Sequence, residues 1–308
     1  IQARLRAGAR VRPDANLELD LGLDSMERVE LLTELEQRFD TKVPAKIAQE
    51  ILTVRQLVSA LDTSRGAARP AAQPIQSWAV ILRDLPPVSD PMLSGLLESR
   101  PIAASWLFIL GRLLRRAIAR VAISGTDNLP ASGAYIIAPN HQSYLDPFLM
   151  CNALPFAVFK RLFFVGAVEY FETPMTRRLA RVVNLIPVDP DSNLVPAMKA
   201  GAFGLAHGKV LVLFPEGERS IDGTVKKFKK GAPILAQHLG VPIVPVAITG
   251  AYELWPRNRA INWSLVWPWS GHRVRIVIGK PMSFQESADY NDTANALRER
   301  VTEMWERL

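Results

Sequence analysis

Hydrophobic spacing divides the chain into two textures. Between residues 11 and 62 the pattern is helical: Met26, Val29, Leu32, Leu35 and Phe39 recur at steps of three and four, while Glu27, Glu30 and Glu34 take the other faces. Asp24 followed three residues later by Glu27 is a capping-box pattern, which puts Ser25 in the first turn of a helix. Thr53-Val54-Arg55-Gln56 gives a second start signal, and Leu57, Val58 and Leu61 carry a short helix onward. These signals predict a small all-α bundle. Further along, short apolar runs alternate with helical stretches. Strands are predicted at 134–138, 162–165, 182–187, 210–214, 243–249 and 274–278, and helices at 145–152, 174–181, 193–207, 231–239 and 293–307. Such alternation predicts an α/β domain around a central, mostly buried sheet.

The two textures are separated by Thr63–Pro74, a run of small residues and prolines without apolar periodicity, which reads as an exposed linker. The expected organisation is a helical domain at 1–62, the linker at 63–74, an amphipathic helical segment at 75–120 and the α/β domain at 121–308. In the amphipathic segment Ile102, Trp106, Ile109, Leu113 and Ala117 form one stripe, and Arg112, Arg116 and Arg120 another. A basic helix lying in a lipid interface has this pattern, and so does a bundle helix with solvated arginines. No continuous apolar run approaches the roughly 20 residues of a spanning helix, so no transmembrane segment is expected.

Charge sharpens the division. Residues 11–62 hold 6 basic and 11 acidic side chains, a net of −5 in a chain of +7, which leaves +12 on the rest. A basic bulk of this kind suits anionic lipid or phosphorylated substrates. Zinc-finger spacing and aromatic RNA-binding signatures are lacking, which argues against nucleic acid. Cys151 is the only cysteine, so an intramolecular disulfide and a multi-cysteine metal site are excluded; its apolar neighbours predict a buried thiol. His207, His238 and His272 are scattered, and no metal site is expected. The chain opens on Ile1 without a leader pattern and reads as a piece of a longer protein, cytoplasmic and peripheral on a membrane.

Three blocks carry the candidate chemistry. In Pro139-Asn140-His141-Gln142-Ser143-Tyr144-Leu145-Asp146-Pro147 a strand ends, a turn follows, and a histidine precedes by five residues an aspartate that enters a helix. An imidazole at a strand end with a carboxylate behind it can take a proton from a substrate hydroxyl at neutral pH, with the carboxylate fixing the tautomer. Phe214-Pro215-Glu216-Gly217-Glu218-Arg219 places carboxylate and guanidinium around a glycine at a second strand end, suited to a phosphate and a polyol. Val241-Pro242-Ile243-Val244-Pro245 begins a further buried strand. Separately, Leu23-Asp24-Ser25-Met26 sets a hydroxyl at a helix start beside an acidic face, where backbone N–H groups and the helix dipole favour a phosphate ester.

The segment from about residue 14 to 62 resembles the acyl carrier protein family, with Asp24-Ser25-Met26 at its phosphopantetheine attachment motif and Thr53-Val54-Arg55-Gln56-Leu57 at the start of its last helix. The resemblance implies a 4'-phosphopantetheine cofactor on Ser25, in a carrier whose first helix is truncated. Residues 120–280 resemble the lysophosphatidate and glycerol-3-phosphate acyltransferase family, on the three blocks in their order. That resemblance implies His141 as general base, Asp146 as its partner, Glu216, Gly217 and Arg219 in the acceptor site, and the strand at Pro242–Pro245 beside the acyl donor. It implies acyl transfer from acyl-CoA or an acyl carrier to a lysophospholipid or glycerol phosphate at an anionic membrane surface, with an upstream acyl-activating domain as a partner. The alternative is a membrane-tethered carrier whose acyltransferase-like domain only binds lipid. Two departures leave the acceptor head group open. Glu218 stands where the family commonly has threonine, and Val165-Gly166-Ala167-Val168-Glu169 lacks the family's lysine, for which Arg177, Arg178 and Arg181 are candidate replacements. Trp255, Trp263, Trp267 and Trp269, with Lys226-Lys227-Phe228-Lys229-Lys230, add features suited to a headgroup layer.

Overall fold

The computed structural model describes residues 11–17, 20, 21, 23, 25–39, 41, 43, 44, 47, 51–64, 78–98, 101–117, 120–166, 180, 182–188 and 194–308. The chain forms two compact units, one of Ile1–Arg83 with Pro190–Leu194 and one of Asp84–Asp189 with Val195–Leu308.

The first unit carries α1 (Ser25–Arg38), α2 (Val54–Ser64) and α3 (Trp78–Arg83). The start of α2 is a reciprocal cap: the Gln56 N–H donates to Thr53 Oγ1 at 3.3 Å, and the Thr53 N–H donates to Gln56 Oε1 at 3.0 Å. Helix α1 opens at Ser25; Asp24 lies outside the described residues. The bundle core joins Leu17, Leu21, Leu23, Leu31, Ile51, Leu57 and Leu61. Of the expected stripe, Leu32 and Leu35 pack against this core, Phe39 is exposed just past the end of α1, and the side chains of Met26 and Val29 lie outside the described residues; Leu31, not part of the stripe, is fully buried.

The second unit begins with α4 (Pro91–Leu97) and α5 (Pro101–Ala117) and continues β1 (Arg120–Ser124), β2 (Tyr135–Pro139), α6 (Asp146–Ala153), α7 (Phe156–Phe159), β3 (Leu162–Val165), β4 (Leu185–Ile186), α8 (Leu194–Ala206), β5 (Val210–Val212), α9 (Gly231–Leu239), β6 (Ile243–Thr249), α10 (Trp263–Val266), β7 (Arg273–Ile278) and α11 (Tyr290–Glu306). One seven-stranded sheet runs in the order β1-β7-β6-β2-β5-β3-β4. Strands β6, β2, β5, β3 and β4 are mutually parallel, and β7 opposes β6 with β1 parallel to β7. Strand β2 is buried along its whole length, as a central parallel strand covered on both faces must be.

Several elements differ from the sequence reading. Strand β1 was not expected; its half-exposed alternation is that of an edge strand, and it abuts a helix that ends at Ala117. Of the strand expected at 182–187 only β4 forms, because Val182 is helical and Asn184 turns the chain at a positive φ of 52°. The strand expected at 210–214 is β5 as far as Val212, although the Leu213 N–H still donates to Ile137 O at 3.0 Å. The helix expected at 174–181 lies outside the described residues except at Ala180. The segment expected at 75–120 is divided, since α3 belongs with the first unit and the second starts at Asp84.

The carboxyl ends of β2, β5 and β6 share one edge of the sheet, the place where ligands bind in open α/β sheets. Helix α8 supports the sheet closely. A Cβ on Gly204 would stand 2.3 Å from Cζ of Phe163, a fully buried ring, so only glycine lets helix and strand approach this far. Helix α5 packs on α7 through Phe108, whose ring lies 5.0 Å from Phe156 and 5.4 Å from Phe159. Its opposite stripe, Ile102, Trp106, Ile109 and Leu113, is exposed.

Candidate active site

Strand β2 ends at Pro139 and is tied to β6 by Asn140, whose side chain donates to Ile248 O at 3.0 Å and accepts the Ile248 N–H at 2.7 Å. This clamp fixes where the chain leaves the sheet. His141 follows, and the turn brings Asp146 back as the first residue of α6, with Pro147 setting the helical φ behind it. The Asp146 side chain is fully buried. Its Oδ2 accepts three hydrogen bonds: from the Gln142 N–H at 2.6 Å, from the Ser143 N–H at 2.7 Å and from His141 Nδ1 at 2.8 Å. An ionised carboxylate only accepts, so Nδ1 carries the proton and Nε2 keeps its lone pair. Phe214 stacks on the imidazole with centroids 4.0 Å apart, which holds the ring plane.

The Phe214–Ser220 loop, which follows β5, grips the same residue from the other side. The His141 N–H donates to Glu216 Oε1 at 3.0 Å, and His141 O accepts the Ser220 N–H at 2.7 Å. Glu216 is 6% exposed, and burial pushes its carboxyl up to about 7; the hydrogen bond from His141 opposes that shift, and the nearby Asp146 carboxylate adds to it. Glu216 therefore stands beneath the histidine turn and holds its backbone. Gly217 is exposed with a φ of 76°, a left-handed conformation that favours glycine, and the flexible end of the Lys229 side chain lies over it. Arg219 lays its guanidinium over the Tyr144 ring, 3.9 Å from the centroid. Among the candidates from the sequence, His141, Asp146, Glu216, Gly217 and Arg219 thus gather at one edge of the sheet.

Several supporting residues join the site beyond the candidates named from the sequence. Gln142 is buried and donates to Gly223 O at 2.5 Å, Ser143 donates to Trp255 O at 2.8 Å, and the Tyr144 N–H donates to the same carbonyl at 3.3 Å. Gln142, Ser143 and Tyr144 stand inside the histidine block, which was their available signal. Glu218, the departure from the family pattern, is ion-paired with Arg257, a partner 39 residues away that no local pattern points to. The lysine run is not a uniform basic face: Phe228 and Lys230 are buried, and Lys226 pairs with Asp222 at 2.5 Å. Arg177, Arg178, Arg181 and the stretch Ala167–Glu169 lie outside the described residues. His207, His238 and His272 each bond a local partner, Phe203 O, the Tyr290 hydroxyl and Gly250 O, and no group of metal-ligating side chains is present among the described residues. Cys151 is half-buried against the main core, more open than expected.

Comparison with known proteins agrees with this architecture. Residues 120–249 match the acyltransferase family and residues 2–61 match the phosphopantetheine attachment site family. A chloroplastic 1-acyl-sn-glycerol-3-phosphate acyltransferase of Arabidopsis thaliana is 30% identical over 169 residues, 53% of this chain and 44% of that protein. A probable 1-acyl-sn-glycerol-3-phosphate acyltransferase of Mycoplasma genitalium is 26% identical over 212 residues, 66% of this chain and 75% of that one. The match thus spans less than half the length of the plant relative. The crystal structure of the 1-acyl-sn-glycerophosphate acyltransferase PlsC from Thermotoga maritima shares the fold, with a TM-score of 0.55 and 24% identity over 70% of this chain and 86% of that one.

Proposed function

We propose that the second unit transfers a fatty acyl group from a thioester to the hydroxyl of a lysophospholipid or glycerol phosphate at a membrane surface, with 1-acylglycerol-3-phosphate as the foremost acceptor. The observation that carries this reading is the His141 Nδ1–Asp146 Oδ2 contact of 2.8 Å at the carboxyl end of β2. His141 Nε2 takes the proton of the acceptor hydroxyl as its oxygen attacks the thioester carbonyl. Asp146 stabilises the imidazolium that forms. The tetrahedral adduct then expels the thiolate, which receives that proton from Nε2, leaving an ester and a free thiol. Arg219, anchored over Tyr144, offers its guanidinium to the acceptor phosphate, while Glu216 positions His141.

Ser25 is proposed to carry a 4'-phosphopantetheine arm. The residue fits the group, since it opens α1, whose first-turn N–H groups lack intrahelical partners and favour phosphodiester charge. Bound there, the arm would supply a thiol that holds an acyl group. The exposed stripe of α5 supports the membrane setting; no helix among the described residues is long and apolar enough to cross a bilayer.

The test incubates the full chain with labelled acyl-CoA and lysophosphatidate. Phosphatidate should form with one thiol released per ester. Lipid binding without ester formation on any glycerol-based acceptor would overturn the reading and favour a carrier that merely docks lipid. Treatment with a phosphopantetheinyl transferase and CoA should add the arm's mass to the wild-type chain and not to Ser25→Ala.

A further inference from the structure

The excursion between β6 and β7 is confined to the catalytic edge. Strand β6 runs parallel to β2, and β7 returns antiparallel with Arg275 opposite Thr249, so residues 250–272 begin and end beside His141's edge of the sheet. Ala251, Leu254 and Val266 root the segment in the core. Its outer part then turns large indoles outward: Trp263 is 64% exposed, Trp267 47% and Trp269 80%. Trp267 and Trp269 stack on each other, 5.1 Å apart and within 5° of parallel. The turn that presents them is tightly held. The Ser270 N–H donates to Trp267 O at 3.0 Å, Ser270 Oγ donates to Leu265 O at 3.1 Å, and His272 Nε2 lies 2.6 Å from Gly250 O.

The same segment is fastened to the catalytic turn. Trp255 O accepts from Ser143 and Tyr144, Arg257 pairs with Glu218, and the Tyr252 hydroxyl donates to the carbonyl of Ile221, itself an exposed apolar residue. Within the excursion Arg257 and Arg259 are exposed against one exposed acid, Glu253, and Arg257 shares its charge with Glu218 of the neighbouring loop, which leaves Arg259 as the basic side chain turned to solvent. Three exposed indoles on a tightly held turn, in a chain of net charge +7, form a surface whose apolar rings and N–H groups suit the headgroup layer of an anionic bilayer.

We infer that Trp263, Trp267 and Trp269 dock the catalytic edge on an anionic lipid surface, which brings the acceptor hydroxyl to His141 without leaving the bilayer. This rests on the reading of the second unit as a lipid acyltransferase. The test compares the full wild-type chain with a Trp263→Ser/Trp267→Ser/Trp269→Ser variant of equal melting temperature. Binding is measured to vesicles of phosphatidylcholine alone and of phosphatidylcholine with phosphatidylglycerol. The variant should bind the mixed vesicles at least about tenfold more weakly, since any contribution of α5 is common to both proteins. Turnover should fall on vesicle-borne lysophosphatidate and stay unchanged on a short-chain, monomeric one. Unchanged binding to the mixed vesicles overturns the inference. So does a wild-type dimer that dissociates on substitution while vesicle binding persists, which would assign the indoles to a second copy of the chain. If neither protein transfers acyl groups but the variant still loses vesicle binding, the docking surface stands and the enzymatic reading fails.

Discussion

Replacing Asp146 with Asn removes one negative charge and sets an amide NH2 at the buried, unpartnered Oδ1 position, which costs stability rather than catalytic geometry. Two backbone N–H groups, from Gln142 and Ser143, converge on the position of Oδ2, so the amide must place its oxygen there. That oxygen still accepts from His141 Nδ1, and the catalytic tautomer is kept. What disappears is the carboxylate's attraction for the imidazolium. With a contact of 2.8 Å the charge centres lie about 4 Å apart, worth roughly 4 kcal/mol at an effective dielectric of 20. The neutral hydrogen bond that remains restores about 1 kcal/mol. The net loss of about 3 kcal/mol corresponds to roughly a 10²-fold fall in kcat. Because the imidazolium exists only after proton transfer has begun, KM for both substrates should be unchanged. Initial rates of ester formation from labelled acyl-CoA across acceptor concentrations, on protein matched by melting temperature, measure both parameters. A kcat within a few-fold of wild type, or a loss confined to KM, would refute the assignment of Asp146.

Arg219→Ala should raise KM for a phosphorylated acceptor by about tenfold or more, since charge-assisted bonds made in ground and transition states alike are lost; an unchanged KM for every phosphate-bearing acceptor removes Arg219 from the site. Glu216 binds its proton more tightly when folded, at about 7 against an ordinary 4.5, so its contribution to stability is complete below about 4.5 and is lost as pH rises through 7. Glu216→Gln should cancel that decline, and the difference in urea midpoint between variant and wild type, followed from pH 4.5 to 8, should grow in the variant's favour. Gly204→Ala improves helix propensity by about 1 kcal/mol, yet it drives a methyl group into the Phe163 ring, an overpacking of about 1–3 kcal/mol. The melting temperature should fall by about 2–4 °C, and a rise would show that the helix can shift away from the sheet.

What could be read from the sequence was local. His141 and Asp146 are five residues apart, and the strand end, turn and helix start that join them are written in one short block. Long apolar stretches were equally plain: β3, β6 and α9 have the expected limits. Edge and interrupted strands were not, because β1 is half-exposed and the approach to β4 contains the left-handed Asn184. In the site, the bonds that hold His141 come from Glu216 and Ser220, some 75 residues on, and Glu218 finds Arg257 through an irregular excursion. Such partners depend on which strands become neighbours, and no window of sequence contains them. The lysine run misleads for a related reason, since burial of Phe228 and Lys230 splits a linear cluster of charge between solvent and interior.

The central claim is that His141 moves the proton that lets an alcohol displace a thiol. Its most direct test is thiol release, followed together with ester formation, from the full chain supplied with acyl-CoA and lysophosphatidate, against a folded His141→Ala variant. General-base removal should slow both signals in equal measure by about 10²–10⁴-fold while acyl-CoA and lysolipid still bind. Ester formation by a folded His141→Ala protein at near wild-type rates would contradict the account.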